Sequence, residues 1–221
     1  MASVLFGSIG TIADTSELQR AAFNQAFAQH GLDWHWERDE YVTLLEESGG
    51  RKRIDAYAQS QGQSVDAEAI HLTKSDLFQQ SLRDGEIQPR PGVVETIQAA
   101  RLENMTVALV TTTSEQNLSE MFSALSPKLG ATDFDLVVNT ALVAQPKPAA
   151  EAYTFALQKL SEEASRCVAI EDNLDGLAAA QAAGLPCIAF PNQNTDRHAF
   201  TGAILRTDRL SFDQVARFLA L

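Results

Sequence analysis

Five short apolar runs divide the chain: Ser3-Val4-Leu5-Phe6, Val107-Ala108-Leu109-Val110, Phe134-Asp135-Leu136-Val137-Val138, Cys167-Val168-Ala169-Ile170 and Pro186-Cys187-Ile188-Ala189-Phe190. Each run predicts a strand. Predicted helices lie between the later runs: Val93 to Arg101, Ser114 to Phe122, one after Pro148, and Gly176 to Ala183, stopped by Gly184. Short strands alternating with helices predict an α/β fold, a Rossmann-type parallel sheet covered on both faces. The first strand runs into the glycine-punctuated turn Gly7-Ser8-Ile9-Gly10-Thr11. A helix is then predicted over 15–30, capped by Thr15 or Ser16, with Ala22, Phe23, Ala26 and Phe27 on one face. Residues 37–85 continue as polar amphipathic helices without a strand, and Pro89-Arg90-Pro91-Gly92 marks a boundary. Residues 16–88 are therefore expected to form a small all-helical subdomain. It is inserted in a core made of 1–15 and 89–221, because the first strand needs the later ones to complete its sheet.

Composition narrows the partners. The chain has 221 residues, 45% of them hydrophobic, enough for a sizeable core. A net charge of −12 argues against nucleic acid, whose phosphate backbone such a surface repels. A small phosphorylated ligand is still admitted, since a cleft can be locally positive. No apolar stretch approaches the ~18 residues of a membrane helix, so no membrane partner is expected. Nothing at the start resembles a signal peptide. Cys167 and Cys187 sit in apolar runs, as buried thiols of a cytoplasmic protein do.

In a doubly wound sheet, chemistry gathers at the carboxyl ends of the strands. The first strand places Gly7, Ser8, Ile9, Gly10 and Thr11 there; the second places Thr111 and Thr112. Lys147 follows the third strand between two prolines, and Glu171, Asp172, Asn173 and Asp175 end the fourth. Hydroxyls, a lysine and turn amides suit a phosphoryl group, and an acidic pair suits a hard cation such as Mg²⁺. Each feature alone has a plain structural reading: a helix cap, an exposed lysine, a capping carboxylate. Their order and spacing together are harder to reach by accident.

That order resembles the haloacid dehalogenase (HAD) superfamily, in the group with a small helical cap after the first strand. The resemblance is carried by FGSIGTIADTSELQRAAFNQAF, ESGGRKRI, IHLTKSDLF, ALVTTTS, PKPAAEAY and CVAIEDNLDGLAAAQAAGLPC, and it spans nearly the whole chain. It is strongest toward beta-phosphoglucomutase-like proteins and the CbbY-type sugar-phosphate phosphatases. It implies a HAD-like core with a cap that closes over substrate. Thr111 and Lys147 would hold the phosphoryl group, Glu171 and Asp172 would bind or position Mg²⁺, and Arg53 and Lys74 would face the substrate; the candidate site adds Thr112 beside Thr111, Ser8 and Gly10 from the glycine-rich turn and Gln19 near the cap hinge.

The chain departs from the family where the chemistry is done. The first motif there reads Asp-x-Asp-Gly-Thr. With Gly10-Thr11 and Asp14 fixing the register, the nucleophile position is Gly7 and the acid/base position is Ile9. Glycine cannot attack phosphorus and isoleucine cannot move a proton. Mg²⁺ loses a charged ligand, so its binding is expected to be weakened. Gln19 stands where relatives commonly carry histidine. Ser8 is the one remaining hydroxyl nucleophile in the loop, and strand alternation is expected to turn it away from the cleft.

Other polar candidates carry less. His35, between two tryptophans, fits packing or a wet surface. His30, His71 and His198 show no ligand spacing, so no zinc site is expected. Arg51-Lys52-Arg53 is either a solvated helix start or, through Arg53, a contact to a distal phosphate. Two functions remain. One is a catalytically impaired relative that binds a small phosphorylated metabolite, inorganic phosphate or a protein partner through the retained cleft. The other is an active Mg²⁺-dependent sugar-phosphate phosphatase or phosphomutase using a non-standard route.

Overall fold

The computed structural model describes residues 2–47 and 49–219. Its centre is a six-stranded sheet in the order β3-β2-β1-β4-β5-β6. The strands are β1 (Ser3–Phe6), β2 (Thr106–Val110), β3 (Leu136–Val138), β4 (Cys167–Glu171), β5 (Cys187–Ala189) and β6 (Leu205–Arg206). All five pairings are parallel. β1 is central, with Phe6 opposite Leu109 on one side and Ile170 on the other, so the carboxyl ends of β1, β2 and β4 lie level.

The apolar runs have no polar alternation because both faces of the sheet are covered. Val4, Phe6, Val107, Leu109, Val168, Ile170 and Ile188 face one cluster, closed by helices α6 (Val93–Leu102), α7 (Glu115–Leu125) and α10 (Phe212–Ala216). Leu5, Ala108, Val110, Ala169 and Cys187 face the other, closed by α8 (Glu151–Leu160) and α9 (Leu174–Ala182). Alanines fill much of the second face, which brings α8 and α9 close to the sheet. Two predicted strands come out shorter. At β3, Asp135 keeps the ladder to Val107 in part with its side chain, its Oδ2 accepting the Val107 N–H at 2.9 Å. β6 was not predicted, since two residues, one of them a charged Arg206, leave no apolar run.

Between the short α1 (Ile9–Ile12) and α6 the described residues form four helices: α2 (Ser16–Gln29), α3 (Arg38–Leu44), α4 (Gly50–Ser60) and α5 (Ala67–Asp84). No strand lies among the described residues of this segment. Phe23, Phe27, Trp34, Trp36, Tyr41, Ile54 and Ile70 form their own apolar cluster. Trp36 lies at its centre, 4.6 Å from the Phe27 ring and 4.9 Å from that of Phe23. α5 serves both cores, because its later residues Phe78 and Leu82 join the sheet's cluster. Its Gln79 also donates to Asn117 of α7 at 2.9 Å. The expected cap of α2 is corrected: neither Thr15 nor Ser16 supplies it. Asp14 does, its Oδ1 accepting from the Ser16 N–H at 3.1 Å and the Ser16 hydroxyl at 2.6 Å. No helix among the described residues is long and apolar enough to cross a membrane.

Arg90, in the proline-flanked boundary, ties the return of the chain to the site. Its guanidinium donates to the carbonyls of Gly10 (3.1 Å), Phe190 (2.7 Å) and Pro191 (2.5 Å) and lies 3.5 Å above the Phe190 ring. Burial lowers its pKa, opposed by the charges of Asp172 and Asp14. Removing the guanidinium leaves three carbonyls without this donor. Arg90→Met is therefore expected to cost about 2–4 kcal/mol, read as a lower urea midpoint at unchanged slope.

Candidate functional site

The site lies at the level carboxyl ends of β1, β2 and β4. The Gly7 N–H still donates to Ile170 O at 2.8 Å, so the strand ladder runs one residue past Phe6. Ser8 then caps α1, its Oγ accepting the Thr11 N–H at 3.2 Å. This overturns the expected orientation of Ser8. Leaving the strand to cap a helix frees it from alternation, and its hydroxyl donates across the sheet edge to Asp172 Oδ1 at 2.5 Å. Gly10 and Thr11 lie inside α1, not in an open turn. Ile9 is buried and packs in the sheet's apolar cluster, so the family's acid/base position here belongs to the core.

Glu171, the last residue of β4, is fully buried. Its Oε1 accepts from Lys147 Nζ at 2.6 Å and from the Tyr153 hydroxyl at 2.7 Å. Lys147 also donates to the Val110 carbonyl at 2.7 Å and to that of Gly7. Those three bonds use every hydrogen of the ammonium. Two glycines make room for the carboxylate. A Cβ at Gly7 would lie 2.0 Å from Glu171 Oε1 and 2.5 Å from the Tyr153 hydroxyl, and one at Gly176 would lie 2.1 Å from Oε2. The space into which a side chain at position 7 would project is thus filled by Glu171 and Tyr153. Burial raises the pKa of Glu171, with Lys147 opposing it. Burial, then the Glu171 charge, raises that of Tyr153.

Asp172 is satisfied separately. Oδ1 accepts from Ser8 and from Asn173 Nδ2 at 3.0 Å, and Oδ2 accepts from Asn192 Nδ2 at 2.8 Å. Its backbone carbonyl accepts from the Thr195 hydroxyl at 2.6 Å. This arrangement fits Mg²⁺ poorly. Such a cation needs several oxygen ligands in octahedral array. Here Glu171 is turned to Lys147, Asp172 is occupied by N–H and O–H donors, and no group of three potential ligands from His, Cys, Asp and Glu occurs among the described residues. Thr111 is buried and its hydroxyl accepts the Thr113 N–H at 3.2 Å; Thr112, beside it, is half-buried.

Gln19, Arg53 and Lys74 form a second cluster on the inserted helices. Lys74 is 5% exposed and its one hydrogen bond among the described residues goes to neutral Gln19 Oε1, at 2.9 Å. Its ammonium lies 4.8 Å from the Phe23 ring and 5.0 Å from that of Phe78. Burial and the nearby Arg53 lower its pKa to about 7. Arg53 donates to the carbonyls of Leu44 and Glu47, both at 2.7 Å, and is faced electrostatically by Asp175. A bridge from the core completes the surround: Asn194 accepts from Arg38 at 2.9 Å and donates to Glu17 at 2.6 Å. Arg197 pairs with Asp39 at 3.0 Å.

Tyr153, Arg90, Asn192, Asn194 and Thr195 escaped the sequence reading. Tyr153 lies in the first turn of α8 and closes the stretch PKPAAEAY, which carried the resemblance without marking this residue for the site. The asparagines did carry a local signal, because Pro191-Asn192-Gln193-Asn194-Thr195 follows a predicted strand at the sheet's carboxyl edge.

A lysine, hydroxyls and two carboxylates at this edge of a parallel sheet, with helices inserted after β1, define a class, and comparison agrees. A sequence profile of haloacid dehalogenase-like hydrolases matches residues 4–190, and the chain belongs to that family. It is 38% identical over 204 residues to protein CbbY of Cereibacter sphaeroides, covering 91% of this chain and 89% of that one. Protein CbbY of Rhodobacter capsulatus is 35% identical, over 95% and 93%. The crystal structure of CbbY from Rhodobacter sphaeroides in complex with phosphate matches over 100% of both chains, at 36% identity and a TM-score of 0.89. A mutant of that protein in complex with xylulose-(1,5)bisphosphate matches at 0.88.

The packing at position 7 gives a direct test. Glu171 cannot easily yield to a methyl group, because Lys147 and Tyr153 pin it and Gly176 backs it. Gly7→Ala is expected to destabilise the protein by roughly 2–4 kcal/mol in chemical denaturation, although alanine suits a strand end better than glycine does.

Proposed function

We propose that the protein binds a small sugar-phosphate-like ligand between the sheet's carboxyl edge and the inserted helices, and does not turn it over through an aspartyl phosphate. In this reading residues 16–88 act as a cap over a core of 1–15 and 89–221. The observation that carries it is the filled space at position 7, where Glu171 and Tyr153 stand in place of a nucleophile. Ligand binding is supported by Lys74, a buried cation whose hydrogen bond goes to a neutral amide. It is supported further by the relatives crystallised with phosphate and with a sugar bisphosphate. Ser8, Gly10, Thr111 and Thr112 frame the core side of the cleft, and Gln19, Arg53 and Lys74 the cap side.

One contact favours the other reading. The 2.5 Å bond from Ser8 to Asp172 pairs a hydroxyl with a carboxylate that can accept its proton. Against it, Ser8 is also the cap of α1, and Asp172 shares its oxygens with Asn173 and Asn192.

Phosphate release and anion binding separate the two. With p-nitrophenyl phosphate or sugar phosphates and Mg²⁺, no release above background is expected. Turnover that survives repurification and falls in Ser8→Ala would contradict the proposal. Binding of sulfate, whose charge is constant over the range, should raise the melting temperature at pH 6 and do so progressively less toward pH 9. The sign follows from Lys74: with a pKa of about 7 it is charged below that pH and neutral above. A response independent of pH would remove Lys74 from the site.

A further inference from the structure

The two clusters differ in what they can offer an anion. Two cations touch the loop after β1: Arg90, which donates to the carbonyls of Gly10, Phe190 and Pro191, and Lys147, whose three hydrogens are taken by Gly7, Val110 and Glu171. The Lys147 charge is matched by Glu171, and Asp172 adds a further negative charge beside it. A phosphoryl group arriving there meets the Glu171 and Asp172 carboxylates and no free ammonium hydrogen. On the inserted helices two cations flank one ring: Lys74 lies 4.8 Å and Arg53 5.9 Å from that of Phe23, the one bonded to a neutral amide and the other to two carbonyls, with Asp175 and Glu47 facing Arg53. A phosphoryl group brought there relieves the repulsion between two cations, and the fork of Arg53 suits its oxygens.

We infer that the cleft has one phosphoryl seat: Glu171 has closed the place beside Gly7, and Lys74 with Arg53 selects ligands by a single phosphate. This rests on the ligand-binding proposal above and narrows it to sugar monophosphates or molecules with one phosphorylated end. A bisphosphate gains little from its second group, because Lys147 has no free hydrogen for it and the Glu171 and Asp172 carboxylates stand beside the place.

The test is calorimetric titration of the full chain with a ketopentose monophosphate and with xylulose-(1,5)bisphosphate, together with equilibrium dialysis of inorganic phosphate. The two sugars should bind within about threefold of one another, and Lys74→Met should weaken both by about tenfold or more, the scale of a lost charge-assisted contact. Dialysis should count one phosphate per chain. A bisphosphate bound more than about tenfold tighter, or two phosphates per chain, would overturn the single seat while leaving the ligand-binding proposal intact. Should Lys147→Met fold, loss of such an excess in that variant would place the second seat at Lys147. No binding of either sugar at millimolar concentration would overturn both.

Discussion

Glu171 reaches the carboxyl end of β1 because two glycines, Gly7 in front and Gly176 behind, leave out the atoms that would stand in its way. There it meets the Lys147 ammonium and the Tyr153 hydroxyl out of contact with water. Burying an ion pair costs both partners their hydration, and the pair repays that only when its hydrogen bonds are made well. Lys147 makes all of its own. Glu171 makes two on one oxygen and none on Oε2 among the described residues. The pair therefore fixes geometry more than it adds stability. It draws β1, β2 and β4 together through Gly7 O, Val110 O and the Glu171 carboxylate, at the point where the family's chemistry would begin.

The rest of the cleft follows from that pairing. With Glu171 committed to Lys147, Asp172 is left to be satisfied by Ser8, Asn173 and Asn192. Those bonds hold the α1 cap and the loop after β5 in place. The loop after β5 reaches the inserted helices through Asn194, Arg197 and His198, the last within 2.9 Å of the Val42 carbonyl. In the proposed function, anion binding then falls to the cationic side chains of the insert. In this haloacid dehalogenase-like hydrolase the positions that the family resemblance gives to the first-motif carboxylates are held by Gly7, with Glu171 and Tyr153 packed against it, and by Ile9 in the core.

The sheet was legible from the sequence because strands covered on both faces must be short apolar runs. The replacement of two aspartates by Gly7 and Ile9 was equally plain, since Gly10-Thr11 and Asp14 fix the register. What escaped were the consequences in three dimensions. Ile9 turns into the core because α1 begins there, capped by Ser8. Ser8 turns toward Asp172 for the same reason, against the alternation a strand would impose. Tyr153 is 18 residues before Glu171, on the helix that covers that face of the sheet, and the stretch PKPAAEAY that it closes does not say that the two would meet. β6 is too short and too polar to leave a trace, while the asparagines after Pro191 had a signal in their position alone.

The most direct measurement is a high-resolution crystal structure of the protein grown with a ketopentose monophosphate and Mg²⁺. The account predicts Glu171 within hydrogen-bond distance of Lys147 and Tyr153, its carboxylate beside Gly7, and the phosphate on Lys74 and Arg53. A phosphate seated next to Gly7 on a Lys147 swung away from Glu171, with octahedral density on Asp172, would contradict it.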